Sequence, residues 1–216
     1  MPKRVSMADK ILDNLRDLFI DGDYQFGELL TENEISAKYG CSKTPAREAF
    51  HVLCMEGYLE KIPNKGYIVK AVSVGELQHM LYFRCVLECA SVDLAVRCAR
   101  DEDFQKLEKL CEEVLSLSQK EASDRHYELN SAFHIGLAQI TRNPYLISAT
   151  SDIIRKLRRA LTVGSRPADN PRETLEDHKI ILEAISQRDR LRAKELMEEH
   201  LVRAQNHIFR YEKNVN

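Results

Sequence analysis

Residues 40–69 read GCSKTPAREAFHVLCMEGYLEKIPNKGYIV. Gly40 offers the left-handed turn that ends a preceding helix. A new helix begins near Ser42 or Thr44, with Pro45 in its first turn, where a missing N–H costs nothing. Ala49, Phe50, Leu53 and Cys54 then recur at helical spacing as a stripe to be buried, and Gly57 closes the helix. Residues 58–62 have the composition of a strand, 63–66 (Pro-Asn-Lys-Gly) of a turn, and 67–69 of a second strand. Upstream, Thr31 and Glu34 form a capping box, and Ile35 and Tyr39 face inward. Ile11, Leu12, Leu15, Leu18 and Phe19 mark a helix over about 7–20, with Gly22 and Gly27 in the loop after it. Helix, helix, helix and hairpin predict a winged helix-turn-helix over residues 1–70.

The second helix of such a motif enters a major groove, with its N-terminal residues at base edges and its first N–H groups toward phosphate. Lys43 and Arg47 lie one turn apart and point the same way. Arg47 can fork onto guanine O6 and N7, Lys43 can take a base or a phosphate, and Ser42 and Thr44 can bond phosphate. The turn at Lys65-Gly66 brings a cation and a bare backbone, suited to the adjacent minor groove. A solvated basic face is the bland alternative for any one of these residues; the whole series argues against it. Net charge is −2, but between positions 38 and 70 six cations (Lys38, Lys43, Arg47, Lys61, Lys65, Lys70) stand against Glu48, Glu56 and Glu60. One side of this unit can therefore be positive while the chain is not.

A hinge is expected at 71–74, and from 75 to 216 only helical periodicity is found. Six helices are expected, at about 74–99, 101–120, 123–141, 144–163, 172–187 and 190–211. Their starts are marked by Asp101, Ser123, Asn143-Pro144, Asn170-Pro171 and Asp189. Short loops predict an antiparallel bundle, so the fold class is mainly α. Asn130 and His134 share one helical face. His178 sits with Leu175, Leu182 and Ile185, and His200 with Leu196, Met197, Leu201 and Ala204. One buried histidine is ordinarily a satisfied core residue. Three aimed into one interior, with an amide a turn away, fit a shared divalent-metal site better. His51, His79, His126 and His207 lack such company. The six cysteines form no CxxC pair and are expected reduced; Cys85 and Cys89 could meet on one turn.

The segment over residues 8–70 resembles the DNA-binding domain of GntR-family regulators, which share a Gly-Val-Ser-Arg-Thr-Pro-Val-Arg-Glu-Ala-Leu pattern. The resemblance implies DNA contacts from Ser42, Lys43, Arg47 and Gly66, and Asn33 stands where some members place an arginine facing DNA. Lys43 replaces the usual arginine and cannot form a rigid fork. Residues 75–212 resemble the FCD-type effector domain of the FadR-like subfamily, through NSAFH at 130–134, EDHKIILEAI around His178 and AKELMEEHL ending on His200. That resemblance implies a helical bundle with a Zn, Ni or Mn-like ion under a cavity for organic acids, and a homodimer on a pseudo-palindromic operator. Asn130 departs from the family's Asp. An aspartate would leave a divalent site at net +1 and asparagine leaves it at +2, which favours an effector that brings its own carboxylate. Arg84, four residues before Glu88, matches the family's R-x-x-x-E pattern and is an effector-binding candidate, with Arg155 a second.

Two other readings stand beside a ligand-controlled regulator. One is a metal hydrolase or lyase with a DNA-binding tether; it lacks HExxH, GxSxG and a phosphate-cradling glycine loop, and Glu176, Glu198 and Glu199 are offset from the ligand face, so no enzyme is expected. The other is the same regulator with a metal-free effector pocket. No apolar run approaches the ~20 residues of a membrane span and residues 1–10 lack a signal-peptide core, so a bacterial cytoplasmic protein is expected.

Overall fold

The computed structural model describes residues 5–164 and 171–215. The chain divides into two compact units, one running up to Val74 with Arg159–Gly164, the other holding Gly75–Arg158 with the residues after position 164.

In the first unit α1 (Met7–Asp21) starts at a reciprocal capping box between Ser6 and Asp9 and stops at Gly22, in the left-handed region. Strand β1 (Leu29–Leu30) comes next, then α2 (Glu32–Lys38), α3 (Lys43–Met55), β2 (Leu59–Ile62) and β3 (Gly66–Val69). Thr31 and Glu34 make the expected capping box of α2. The sheet order is β1-β3-β2, all antiparallel. β1 lies inside the segment expected to be loop; two residues leave no period to detect, and pairing with β3 makes them a strand. Ile11, Leu15, Phe19, Ile35, Phe50, Leu53 and Tyr58 are almost fully buried in one core. Arg159, buried, donates to the carbonyl oxygens of Gly57, Tyr58 and Lys70.

The helices that follow are α4 (Val74–Cys98), α5 (Asp101–Ser116), α6 (Gln119–Ile140), α7 (Pro144–Gly164), α8 (Pro171–Ser186) and α9 (Arg190–Val215), and the second unit holds them except for Val74 and the Arg159–Gly164 end of α7. The second unit has a core of its own. Its core joins Val92, Ala95, Phe133, Leu137, Ile181, Ile185, Ala193 and Met197. Asn143 Oδ1 accepts from the N–H groups of Tyr145 and Leu146, and Asp189 Oδ1 from that of Arg192, so both cap as expected. Several boundaries differ, among them the end of α9, at Val215 rather than near 211. α6 starts four residues before the expected position because Ser118 and Glu121 make a capping box. α5 accordingly ends at Ser116 rather than near 120, and its N-cap is Arg100, not Asp101, with Asp103 bonding back to the Arg100 N–H. The expected cap at Asn170 lies outside the described residues. All six cysteines are free thiols; Cys85 and Cys89 do meet across one turn of α4, with sulfurs 4.0 Å apart.

Candidate functional site

The candidate nucleic-acid face draws on α2, α3 and the β2–β3 turn. Ser42, Lys43, Thr44 and Arg47 are all exposed on the first turns of α3. Ser42 occupies the N-cap position without a side-chain capping bond, so its hydroxyl and the first N–H groups of α3 face outward together. Arg47 does not stand alone. Its Nε and one terminal nitrogen donate to the two Glu32 oxygens at 2.9 and 2.8 Å, and Tyr67 donates to the same carboxylate at 3.2 Å. The guanidinium hydrogen bond to Arg47 is the main reason the Glu32 carboxyl sits below its ordinary pKa. A fork held from behind points in a fixed direction, which base reading needs. Asn33 is exposed beside Glu32, and Lys65 is exposed in the turn. Gly66 has a structural reason of its own: at φ 129° a Cβ would lie 2.5 Å from the Leu30 carbonyl oxygen. The glycine lets β3 approach β1, whatever it also offers a ligand.

In the second unit the expected histidines converge. His134 (α6), His178 (α8) and His200 (α9) are all buried, and their ring centroids form a near-equilateral triangle with sides of 5.1, 5.3 and 5.0 Å. Their nearest ligand atoms lie within 4.8 Å of one another. His134 Nε2 and His200 Nε2 are 3.4 Å apart, the ~3.4 Å edge expected for two nitrogens each ~2.1 Å from a tetrahedral ion. Behind the triangle are groups that orient it. Glu88 of α4 abuts His134 Nδ1 with one carboxylate oxygen and accepts from Arg84 Nε at 2.5 Å with the other. Asp177 Oδ2 is 3.0 Å from His200 Nδ1 and 2.7 Å from the Arg203 guanidinium. Phe133 stacks on His178, centroids 3.7 Å apart and planes within 4°. A carboxylate at Nδ1 holds the proton there and leaves the Nε2 lone pair facing inward.

The electrostatics agree. Burial alone would raise the Glu88 carboxyl, but the Arg84 guanidinium and the His134 imidazole bring it down to about 2. Burial lowers His134 to about 4 against the pull of Glu88, and lowers His178 well below its ordinary value, with the neighbouring imidazoles adding to it. Both rings are therefore neutral at pH 7, the form that ligates a metal.

Asn130 is where the helical spacing put it, one turn before His134. Its Oδ1 is buried and without a partner, as is His178 Nε2. Three converging imidazoles, one with an orphaned Nε2, and an orphaned amide oxygen one helical turn from His134 are donors of the kind a divalent cation satisfies, so the residues fit the ion.

Two clefts open on this centre. A polar one of about 260 Å³ is lined by Arg84, Asn130, Glu176, Asp177, His200, Arg203 and His207 among others. A narrow apolar one of about 20 Å³ lies between α5, α6 and α8 and includes His126. Arg84 thus reaches the cavity as expected, although Glu88 already holds one of its nitrogens. Arg155 lines neither cleft; it pairs with Asp152 at 2.6 Å on its own helix. His126 and His207 line the apolar and polar clefts without joining the histidine triangle, and Glu176 lines the polar one. Glu88, Asp177 and Phe133 escaped the sequence reading as partners of the histidines. The i, i+4 spacing of Arg84 and Glu88 and the adjacency of Asp177 to His178 and of Phe133 to His134 were the available signals.

Comparison with known proteins gives the same division. Residues 7–69 match bacterial regulatory proteins of the gntR family, and residues 79–203 match the FCD domain. The chain is 25% identical over 207 residues to the uncharacterized HTH-type transcriptional regulator YdhC of Bacillus subtilis (strain 168), covering 94% of this chain and 89% of the relative. It is 29% identical over 205 residues to the Uxu operon regulator of Haemophilus influenzae, covering 87% and 76%. Among solved structures it shares its fold with Escherichia coli McbR/YncC, at a TM-score of 0.74 and 22% identity over 96% of this chain and 99% of that one. The chain belongs to the GntR family of bacterial DNA-binding transcription regulators, with an FCD domain as its C-terminal part.

Proposed function

We propose that this regulator binds a pseudo-palindromic operator as a homodimer and is controlled by a small carboxylate held at a divalent ion on Asn130, His134, His178 and His200. Regulators of this family bind DNA operators and are typically dimeric. The observation that carries the sensing half is the convergence of His134, His178 and His200, with His178 Nε2 and the Asn130 Oδ1 one turn before His134 both buried and unpartnered, and with Glu88 and Asp177 beside the far nitrogens of His134 and His200. An unsatisfied buried polar atom costs about 1–3 kcal/mol, and one cation relieves both. A Zn, Ni or Mn-like ion suits imidazole and amide oxygen.

The ion would supply a Lewis-acidic anchor for an anion. Asn130 is neutral, so the ligand set contributes no negative charge, and a carboxylate from the effector completes it. Arg84 and Arg203 border the same cleft, each balanced by an acid behind it. They offer the effector oriented donors more than net charge.

On the DNA side, Arg47 and Lys43 read the major groove, Ser42 and Thr44 bond phosphate, and Asn33, Lys65 and Gly66 flank the groove. Two recognition helices must be spaced by a dimer. α4 is apolar enough to supply an interface: Tyr82 is 73% exposed, with Phe83 and Val86 exposed near it. The effector acts by binding one arrangement of the dimer more tightly than the other. The protein works in the bacterial cytoplasm, where its operator lies.

The test is anisotropy of a duplex selected from a random pool by the full chain, titrated with monocarboxylates, with Zn(II) and after chelation. The reading expects operator affinity to shift with carboxylate only when Zn(II) is present. The same response after chelation would contradict the metal and leave a metal-free pocket. Asn130→Asp is expected to tighten Zn(II) and weaken the carboxylate; unchanged or weaker Zn(II) affinity would sink the charge argument.

A further inference from the structure

A guanidinium presents its N–H donors on a planar fork, with a side edge formed by Nε and one terminal nitrogen and an end edge formed by the two terminal nitrogens. In Arg47 the side edge is taken: Nε and one terminal nitrogen donate to the two Glu32 oxygens at 2.9 and 2.8 Å. The end edge stays available for a second bidentate partner. The two side chains differ in exposure, 63% for Arg47 and 20% for Glu32, so the acid stands behind and the fork points outward. The carboxylate is itself held. Glu32 lies in the first turn of α2, and the Tyr67 hydroxyl of β3 donates to its Oε1 at 3.2 Å. The Tyr67 ring is fixed in turn against Phe50 of α3, with centroids 4.5 Å apart. One carboxylate thus ties the recognition helix to α2 and to the strand that leaves the wing, and it cancels the charge of the arginine it holds.

We propose that Glu32 is a specificity-determining residue for DNA: it aims the end edge of Arg47 at a base and, by cancelling the charge of Arg47, keeps that arginine from adding to sequence-independent attraction for phosphate. The inference rests on the reading of Arg47 as a major-groove contact and adds how that contact discriminates. Each Lys or Arg that neutralises a phosphate releases a counterion, on any sequence. An arginine free to swing at this position would reach phosphate as readily as guanine and would strengthen both modes of binding. Held by Glu32, it arrives without net charge and with its direction set. An anionic phosphate oxygen gains little from such a pair, because the carboxylate repels it. Guanine O6 and N7 are neutral acceptors spaced for the end-edge fork and meet no such penalty. The carboxylate therefore acts against the wrong partner as well as for the right one.

Anisotropy of the full chain on a duplex it selects from a random pool and on a scrambled duplex of equal length, each across a range of salt, tests this in Glu32→Gln, Arg47→Ala and the double variant. Glu32→Gln is expected to lower the ratio of selected to scrambled affinity by at least about fivefold. Scrambled binding should tighten, with a salt slope steeper by about one. In the Arg47→Ala background the same substitution should change neither ratio nor slope. Glu32→Asp keeps the charge but is one methylene too short to hold both nitrogens. It should lower the ratio with the slope unmoved, and it carries the test where the glutamine variant does not fold; an unchanged ratio there would overturn the proposal. A purely structural role for Glu32 would weaken both duplexes alike. That result, or a Glu32→Gln effect that persists without Arg47, would overturn the proposal and leave Arg47 as a DNA contact. Arg47→Ala that loses affinity for neither duplex would overturn both.

Discussion

Replacing Glu88 by glutamine keeps the shape of a side chain that is 2% exposed while removing its charge. In the parent, that carboxylate accepts from Arg84 and abuts His134 Nδ1. The substitution therefore disturbs two partners. Arg84, with its side chain 14% exposed, is left as a nearly buried cation without its counter-ion, and breaking such a pair from one side costs about 3–5 kcal/mol. His134 also loses the acceptor that keeps its proton on Nδ1. If the new amide donates to Nδ1, the proton moves to Nε2 and the lone pair that faces the centre is gone. Loss of a carboxylate behind a ligating histidine typically weakens metal binding about 10- to 100-fold. Urea unfolding of the chelated chain measures the first effect, and competition against a chromophoric chelator the second. Adding Arg84→Met to Glu88→Gln should restore most of the stability, because no orphan charge remains, and little of the metal affinity. Stability and Zn(II) affinity both within twofold of the parent would refute the reasoning. So would a double variant that recovers both.

Gly66→Ala should destabilise the first unit by more than about 1 kcal/mol, because φ is 129° and the new Cβ meets the Leu30 carbonyl oxygen at 2.5 Å; urea melts check this, and no loss would mean β1 and β3 part freely. Arg47→Ala should weaken binding to the selected duplex about 5- to 100-fold and relax preference at one base pair, while Lys65→Ala should lower affinity evenly across sequences and flatten the salt slope by about one. In the chelated chain, folded His134 titrates near 4 and His178 well below 6.5, so below pH 6.5 the unfolded chain takes up more protons than the folded one. Stability present above 6.5 should be lost progressively toward pH 4, and urea midpoints unchanged between pH 7.5 and 5 would contradict this.

The winged unit was legible because its turns carry their own chemistry. Gly40, Pro45, Gly57 and Asn64-Lys65-Gly66 each mark a boundary through local backbone preference, and the stripe Ala49, Phe50, Leu53 carries the helical period between them. The three histidines were legible for a similar reason: each lies on an apolar face, and a single core collects apolar faces. What stayed hidden depends on pairing across the chain. β1 is a strand only because β3 passes beside it. Glu32 grips Arg47 from another helix, and Glu88 stands behind His134 across 46 positions of sequence, neither of which a period encodes. Capping signals also repeat, and Ser118 with Glu121 prevails over Ser123 because both halves of the box close. Arg155 and His126 show the limit from both sides. Neither carries a distinguishing neighbour in sequence, and the packing of α5, α6 and α8 brings His126 to a cleft while Arg155 stays paired on its own helix.

Metal content per chain is the measurement closest to the central claim, on untagged protein incubated with Zn(II), Ni(II) or Mn(II), freed of excess ion and set beside the His134→Ala/His178→Ala variant. The account predicts about one equivalent in the parent and none in the variant. No ion retained by either would contradict it.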